Sequence, residues 1–219
     1  MIDTKTNAYW EAVRQHVRNE PIWGGPCVDQ YGILDRRTGG PRDYTMRLNR
    51  FALCGEYSWS VTDPDTVTFV AEHAGPLLID PMAGSGWWAH LLGQLGVTVL
   101  ASDLNPPDGT EANHWHREGQ HVPVAQVDGV DAVKLAPPSA TLFLSWPPYD
   151  RPAGHDILAA YTGTRVIYIG EGDGGCCGND DMFRLFADGW VEVAGHRPVQ
   201  WDGLHDYVTI YDRKINEKG

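Results

Sequence analysis

The chain has 219 residues, 42% of them apolar and 21% charged, and a formal net charge of −12. This is a globular composition with enough chain for a real core, which excludes a disordered protein. Asp and Glu outnumber Lys and Arg by 29 to 17, so nucleic acid is disfavoured as a partner without being excluded.

No apolar run approaches the ~20 residues that a bilayer-spanning helix needs. Residues 1–5 lack the charged-then-apolar build of a signal peptide. A cytoplasmic protein without a membrane partner is the expectation. Cys27, Cys54, Cys176 and Cys177 show no CxxC spacing, which favours reduced thiols and no metal site.

Residues 7–19 read as a helix, with Tyr9, Val13 and Val17 on one face at i, i+4 spacing. Pro21, Gly24, Gly25 and Pro26 break it. Residues 36–43 form a polar, Gly/Pro-rich turn region, and 45–54 a short helix. Residues 1–55 differ in texture from the rest and read as a helical and loop extension, either a substrate cap or a dimer arm. Residues 56–219 form the main domain, as a monomer or a homodimer.

From Asp63 the order becomes regular. Asp63-Pro64 is an N-cap acid followed by Pro at the first helical position, and Gly75 closes that helix. Strands follow at 76–80, 97–102, 122–127, 141–145 and 165–169. Helices fall at 85–95, 111–118, 156–161 and 180–187, and 190–194 with 207–211 form an antiparallel edge. Strands alternating with helices predict an α/β fold with a mostly parallel sheet covered on both faces. Ligands bind such sheets at the carboxyl ends of the strands.

The first strand runs into Asp80-Pro81-Met82-Ala83-Gly84-Ser85-Gly86. Gly84 and Gly86 permit a tight turn and a close ligand approach, and the following helix N-terminus offers unpaired N–H groups. Asp103 ends the second strand, where an acid can accept from both hydroxyls of a ribose. Asp128, after the third, stands where an adenine edge would be met. This turn carries neither GxGxxG nor GxxxxGK[ST], which weakens dinucleotide and P-loop readings there.

This segment resembles motif I of the class I S-adenosylmethionine-dependent methyltransferases, and Ala101-Ser102-Asp103-Leu104 is similar to their acidic motif after the second strand. The resemblance spans residues 57–212. It implies a Rossmann-like, doubly wound sheet of seven strands, the last antiparallel. It implies S-adenosylmethionine as cofactor and S-adenosylhomocysteine as product. Asp80, Pro81, Met82, Ala83, Gly84 and Gly86 would form the cofactor turn, with Asp80 and the backbone at Gly84 and Gly86 facing the methionine part. Asp103, with Leu104 beside it, would hold the ribose, and Asp128 would touch the adenine amino group. Tyr57, Ser58 and Trp59 precede the first helix of the sheet and are lid candidates.

The fourth strand ends Ser145-Trp146-Pro147-Pro148-Tyr149. Two prolines force an extended backbone and remove two donors, so carbonyls there can point at a ligand. The segment resembles motif IV of amino-group methyltransferases, with Tyr149 at the position of the aromatic that stacks on the target ring. It departs in having Trp146 where an Asp, Asn or Ser belongs, with Ser145 one position too early. An indole N–H donates and cannot accept. Asp150, His155, Glu171 and His205 are candidate bases. The glycine-rich loop 170–178 is a candidate gate. Nine tryptophans suit a flat, aromatic or hydrophobic substrate. The expectation is methyl transfer to a nitrogen or oxygen of a small, planar or aromatic molecule. The alternatives are a nucleic-acid base methyltransferase and a non-catalytic cofactor-binding module.

Overall fold

The computed structural model describes residues 7–20, 25–28, 48–109, 111, 113–116 and 118–215. The expected turn region at 36–43 lies outside them. The chain runs α1 (Ala8–Val13), a 3-10 turn (Arg14–His16), β1 (Val17–Glu20), β2 (Gly25–Val28), α2 (Arg50–Glu56), α3 (Pro64–Ala74), β3 (Leu77–Asp80) and α4 (Trp87–Gln94). It continues through β4 (Thr98–Asp103), β5 (Ala125–Gln126), α5 (Gly129–Leu135), β6 (Thr141–Ser145), α6 (Ala153–Ala160) and β7 (Arg165–Gly170). It closes with α7 (Asp180–Gly189), β8 (Trp190–His196), β9 (Gln200–Trp201) and β10 (Tyr207–Arg213).

The main sheet has seven strands in the order β5-β4-β3-β6-β7-β10-β8. The pairings among β3, β4, β5, β6 and β7 are parallel, and β10 is antiparallel to both of its neighbours. This is the expected Rossmann-like, doubly wound sheet with an antiparallel last strand. Period-two alternation sends neighbouring side chains to opposite faces. Leu78, Phe143, Ile167 and Ile169 pack with Val67, Val70, Trp88 and Leu91 of α3 and α4. Ile79, Leu142, Leu144, Val166 and Tyr168 pack with Ala132, Ile157, Leu158, Met182 and Phe186 of α5, α6 and α7.

Helix starts follow local chemistry. Asp63, Asp128 and Asn179 each cap a helix by accepting a backbone N–H two or three residues on. Asp63 binds further: its carboxylate also accepts from the Thr66 hydroxyl (2.6 Å) and the Val199 N–H (3.0 Å).

The N-terminal region departs from expectation. The helix stops at Val13, and Val17 is already extended because residues 17–20 pair with residues 25–28. β9 adds to β2 in parallel, completing a small three-stranded sheet. Tyr9, Val13, Val28 and Trp201 are fully buried in the core of the first face. The Trp201 indole N–H donates to the Tyr9 hydroxyl (2.9 Å). The expected helix at 111–118 is not formed among the described residues there, and the strand expected over 122–127 shrinks to Ala125–Gln126.

Candidate active site

The parallel strands end on one side of the sheet at Asp80, Asp103, Gln126, Ser145 and Gly170. Tyr207, at the start of antiparallel β10, pairs with Gly170 at the end of β7. Residue 206 is thereby brought to the same rim.

After β3 the Ala83 N–H donates to the Ser102 carbonyl (2.9 Å), tying the turn to β4. Gly84 and Gly86 take positive φ of 53° and 74°, the left-handed region that glycine tolerates. The Gly84 N–H donates to Asp103 Oδ2 (3.0 Å) and the Asn105 N–H to Oδ1 (3.0 Å). Each carboxylate oxygen keeps acceptor capacity for a second donor. A Cβ on Gly84 would stand 2.5 Å from the His116 ring, so that space belongs to His116. Asp80 is buried, and burial pushes its carboxyl up to about 8, with the charge of Asp103 adding to the rise and the Met82 N–H opposing it. Pro81 is buried and Met82 packs partly into the second face.

His116 and His121 lie over this turn, which no pattern in the sequence signals beyond a cluster of His and Trp. The His116 ring meets the Gly55 carbonyl (3.1 Å), and His121 Nε2 meets that of Glu56 (2.8 Å). Burial keeps His116 below the ordinary histidine range. The His121 ring stacks on Tyr57, whose other neighbours are Tyr9 and Trp87. Tyr57 also accepts from the Ser85 hydroxyl through its carbonyl. Tyr57 thus lies in an aromatic stack beside the glycine turn. Leu104 is exposed, and Asp128 is exposed with Oδ1 capping α5.

The end of β6 forms a second group. Trp146 is the one described non-glycine residue with positive φ (52°), a conformation that costs about 1 kcal/mol or more. Its N–H donates to the Ile169 carbonyl (2.9 Å). Its ring stacks on Trp59 at 5.6 Å, and Trp59 meets Trp115 edge-on at 5.1 Å. The Arg50 guanidinium stands 5.3 Å from the Trp59 ring and 5.5 Å from the Trp146 ring. Ser145 and Ser60 hydroxyls are 3.4 Å apart. Beside Trp59 and Trp115 opens a cavity of roughly 330 Å³, also lined by Phe51, Ala52 and Gly55.

Two expectations for this region change. The Pro147 carbonyl is already engaged: it accepts the Gly178 N–H (2.7 Å), where the glycine loop bridges back onto Pro148. Tyr149 is 61% exposed and lines a separate open groove with Asn179, Asp181 and Arg184, apart from the Trp59–Trp146 pair. Glu171 also departs from a base. Its carboxylate accepts the N–H groups of Cys176 (2.7 Å) and His205 (2.9 Å). Burial alone would raise it, but these bonds outweigh burial and hold it below the usual carboxylate range. Glu171 is an anion that holds the loop in place.

The sequence reading missed Asp206 and Arg50. Asp206 is 2% exposed, and neither carboxylate oxygen has a hydrogen-bond partner among the described residues. Burial pushes it up to about 7, Glu171 adds to the rise, and the Trp146 indole and Arg50 oppose it. The Trp146 indole N–H faces this carboxylate but misses hydrogen-bond geometry. Arg50 Nε and Nη2 are likewise buried and unpartnered.

No protein-family model matches the sequence, and no curated protein matches it. Solved structures do. The chain is similar to the magnesium protoporphyrin IX methyltransferase of Synechocystis PCC 6803 with bound SAM (TM-score 0.47, 15% identity, 68% of this chain and 79% of that one). It is similar to a 1,6-didemethyltoxoflavin N1-methyltransferase of Burkholderia thailandensis with bound substrate and S-adenosylhomocysteine (TM-score 0.47, 18% identity, 69% and 78%). A third is a tRNA (m1A22) methyltransferase candidate of Streptococcus pneumoniae (TM-score 0.43, 14% identity, 71% and 74%).

Proposed function

We propose that the protein is an S-adenosylmethionine-dependent methyltransferase acting on a nitrogen or oxygen of a small planar molecule. One observation carries the reading: a left-handed glycine turn at Gly84 and Gly86, joined by a backbone N–H to the Asp103 carboxylate on the neighbouring strand. A ribose fits the remaining acceptor capacity of Asp103. The spot over Gly84 that a Cβ would fill suits a flat, close-lying ligand, and His116 would move aside for it.

The cofactor, when bound, supplies an electrophilic methyl group on a sulfonium with a good leaving group. The chain's own residues position and shield. Asp103 orients the ribose, and Asp80 offers a buried carboxylate to the positive end. Trp59, Trp146 and Trp115 exclude water and present flat apolar faces to the substrate. Asp128 and Leu104 would complete the adenine side, with Met82 beneath. The acidic balance of the chain and the engagement of the Pro147 carbonyl both favour a small molecule over a nucleic-acid amino group. We read residues 1–55 as contributing the substrate cap, through Arg50, rather than a dimer arm, and the protein as cytoplasmic.

Calorimetric titration with S-adenosylmethionine and S-adenosylhomocysteine tests the reading. Micromolar binding is expected, and Asp103→Ala should weaken it by about a hundredfold through the loss of charge-assisted hydrogen bonds. A protein that binds neither ligand would sink the assignment.

A further inference from the structure

Buried charges are paired or hydrogen-bonded in folded proteins, because leaving one unpartnered forfeits its hydration with nothing in return. At the rim of this sheet three buried polar groups stand together and unmade: Arg50 Nε and Nη2, both oxygens of Asp206, and the Trp146 indole N–H. They come from three places in the chain, namely α2, the residue before β10 and the end of β6. Opposite charges this near would ordinarily close on each other. Here Arg50 is held over the Trp59 and Trp146 rings and forms no hydrogen bond with Asp206. The left-handed backbone at Trp146 holds the indole at this position. Glu171 does not take Asp206's place as the partner of Arg50, since its oxygens are bound to the Cys176 and His205 amides.

We propose that these groups form a donor–acceptor clamp for the methyl acceptor, and that the substrate is a planar heteroaromatic acid carrying an anionic oxygen on one side and a ring N–H or hydroxyl on the other. The oxygen accepts from Arg50 and Trp146. The N–H or hydroxyl donates to Asp206. The flat ring lies against Trp59, reached through the cavity that Trp59 shares with Phe51 and Trp115. Burial raises the Asp206 carboxyl, while the neighbouring cation and a substrate donor both favour its ionised form. This inference rests on the methyltransferase reading and names the substrate class for it.

Three probes and three variants test it, with the full chain saturated in S-adenosylhomocysteine. The probes are 4-hydroxyquinoline-2-carboxylate, 4-hydroxyquinoline (no carboxylate) and quinoline-2-carboxylate (no hydroxyl or tautomeric N–H). Arg50→Met should weaken the two carboxylates by about tenfold and leave 4-hydroxyquinoline unchanged. Asp206→Asn should weaken the two hydroxyl-bearing probes by about tenfold and leave quinoline-2-carboxylate unchanged. Arg50→Lys, which keeps the charge and loses the planar fork, should fall between and carries the test if Arg50→Met does not fold. Binding of S-adenosylhomocysteine reports folding in every variant. The proposal is overturned if that ligand binds while no probe does, or if probe affinities ignore both substitutions, as for a pair bridged by ordered water. Failure of S-adenosylhomocysteine to bind the wild type overturns the methyltransferase reading instead, and this inference with it.

Discussion

At the scale of single residues, Gly84 and Asp80 make the sharpest predictions. Gly84→Ala combines a positive φ with a Cβ that collides with the His116 ring. It should destabilise the chain by about 1–3 kcal/mol, read from urea unfolding, and abolish cofactor binding. Asp80 has a folded-state pKa of about 8, raised above its ordinary value by burial. Its protonated form therefore suits the fold, and the contribution is complete below the usual carboxylate range and lost as pH rises through about 8. Asp80→Asn should flatten the fall in stability between pH 5 and 8, leaving the part due to Asp206, whose pKa of about 7 has the same sign. A bound sulfonium would ionise Asp80, so cofactor binding at pH 7 should release a proton. Calorimetry in phosphate and in Tris would then give different apparent enthalpies; identical ones would contradict this role. Gly84 and Asp103 were legible because their meaning is local: a strand end, a tight turn, the next strand end. Arg50, His116 and Asp206 were not, since each acquires its role only from partners far along the chain. Glu171 illustrates the reverse error, because its two amide donors reach it only after folding.

Elements were legible where caps and alternation agree. Asp63-Pro64 announces α3, and the unbroken apolar run of Leu142, Phe143 and Leu144 announces a strand buried on both faces. Asp63 also joins α3 to the segment before β9, which no local pattern reveals. Asp63→Ala would remove the cap and strand the Thr66 and Val199 N–H groups. It should lower stability by about 2–4 kcal/mol, seen as a fall in thermal midpoint. A change within experimental error would show that solvent replaces these bonds. α1 was overextended because Val17 continues the helical face, while its pairing with Val28 decides for a strand. Propensity yields there to a non-local ladder.

Across the whole molecule, α1 is part of the core. Tyr9 and Val13 are fully buried against the first face of the sheet. Deleting residues 1–16 should therefore cause loss of near-ultraviolet circular dichroism and not merely of substrate affinity. A truncated chain with a native spectrum would contradict that packing. The sheet also carries a consequence in time. β10, the last of the described strands, is inserted between β7 and β8. During synthesis both neighbours emerge first, and each presents an open edge until residue 213 is free to enter. The Val166–Ile169 stretch of β7 is wholly apolar apart from a tyrosine hydroxyl, the kind of edge that recruits foreign strands. A nascent chain stalled before β10 is thus the form most exposed to aggregation, and Asp206 arrives together with the strand that ends that exposure.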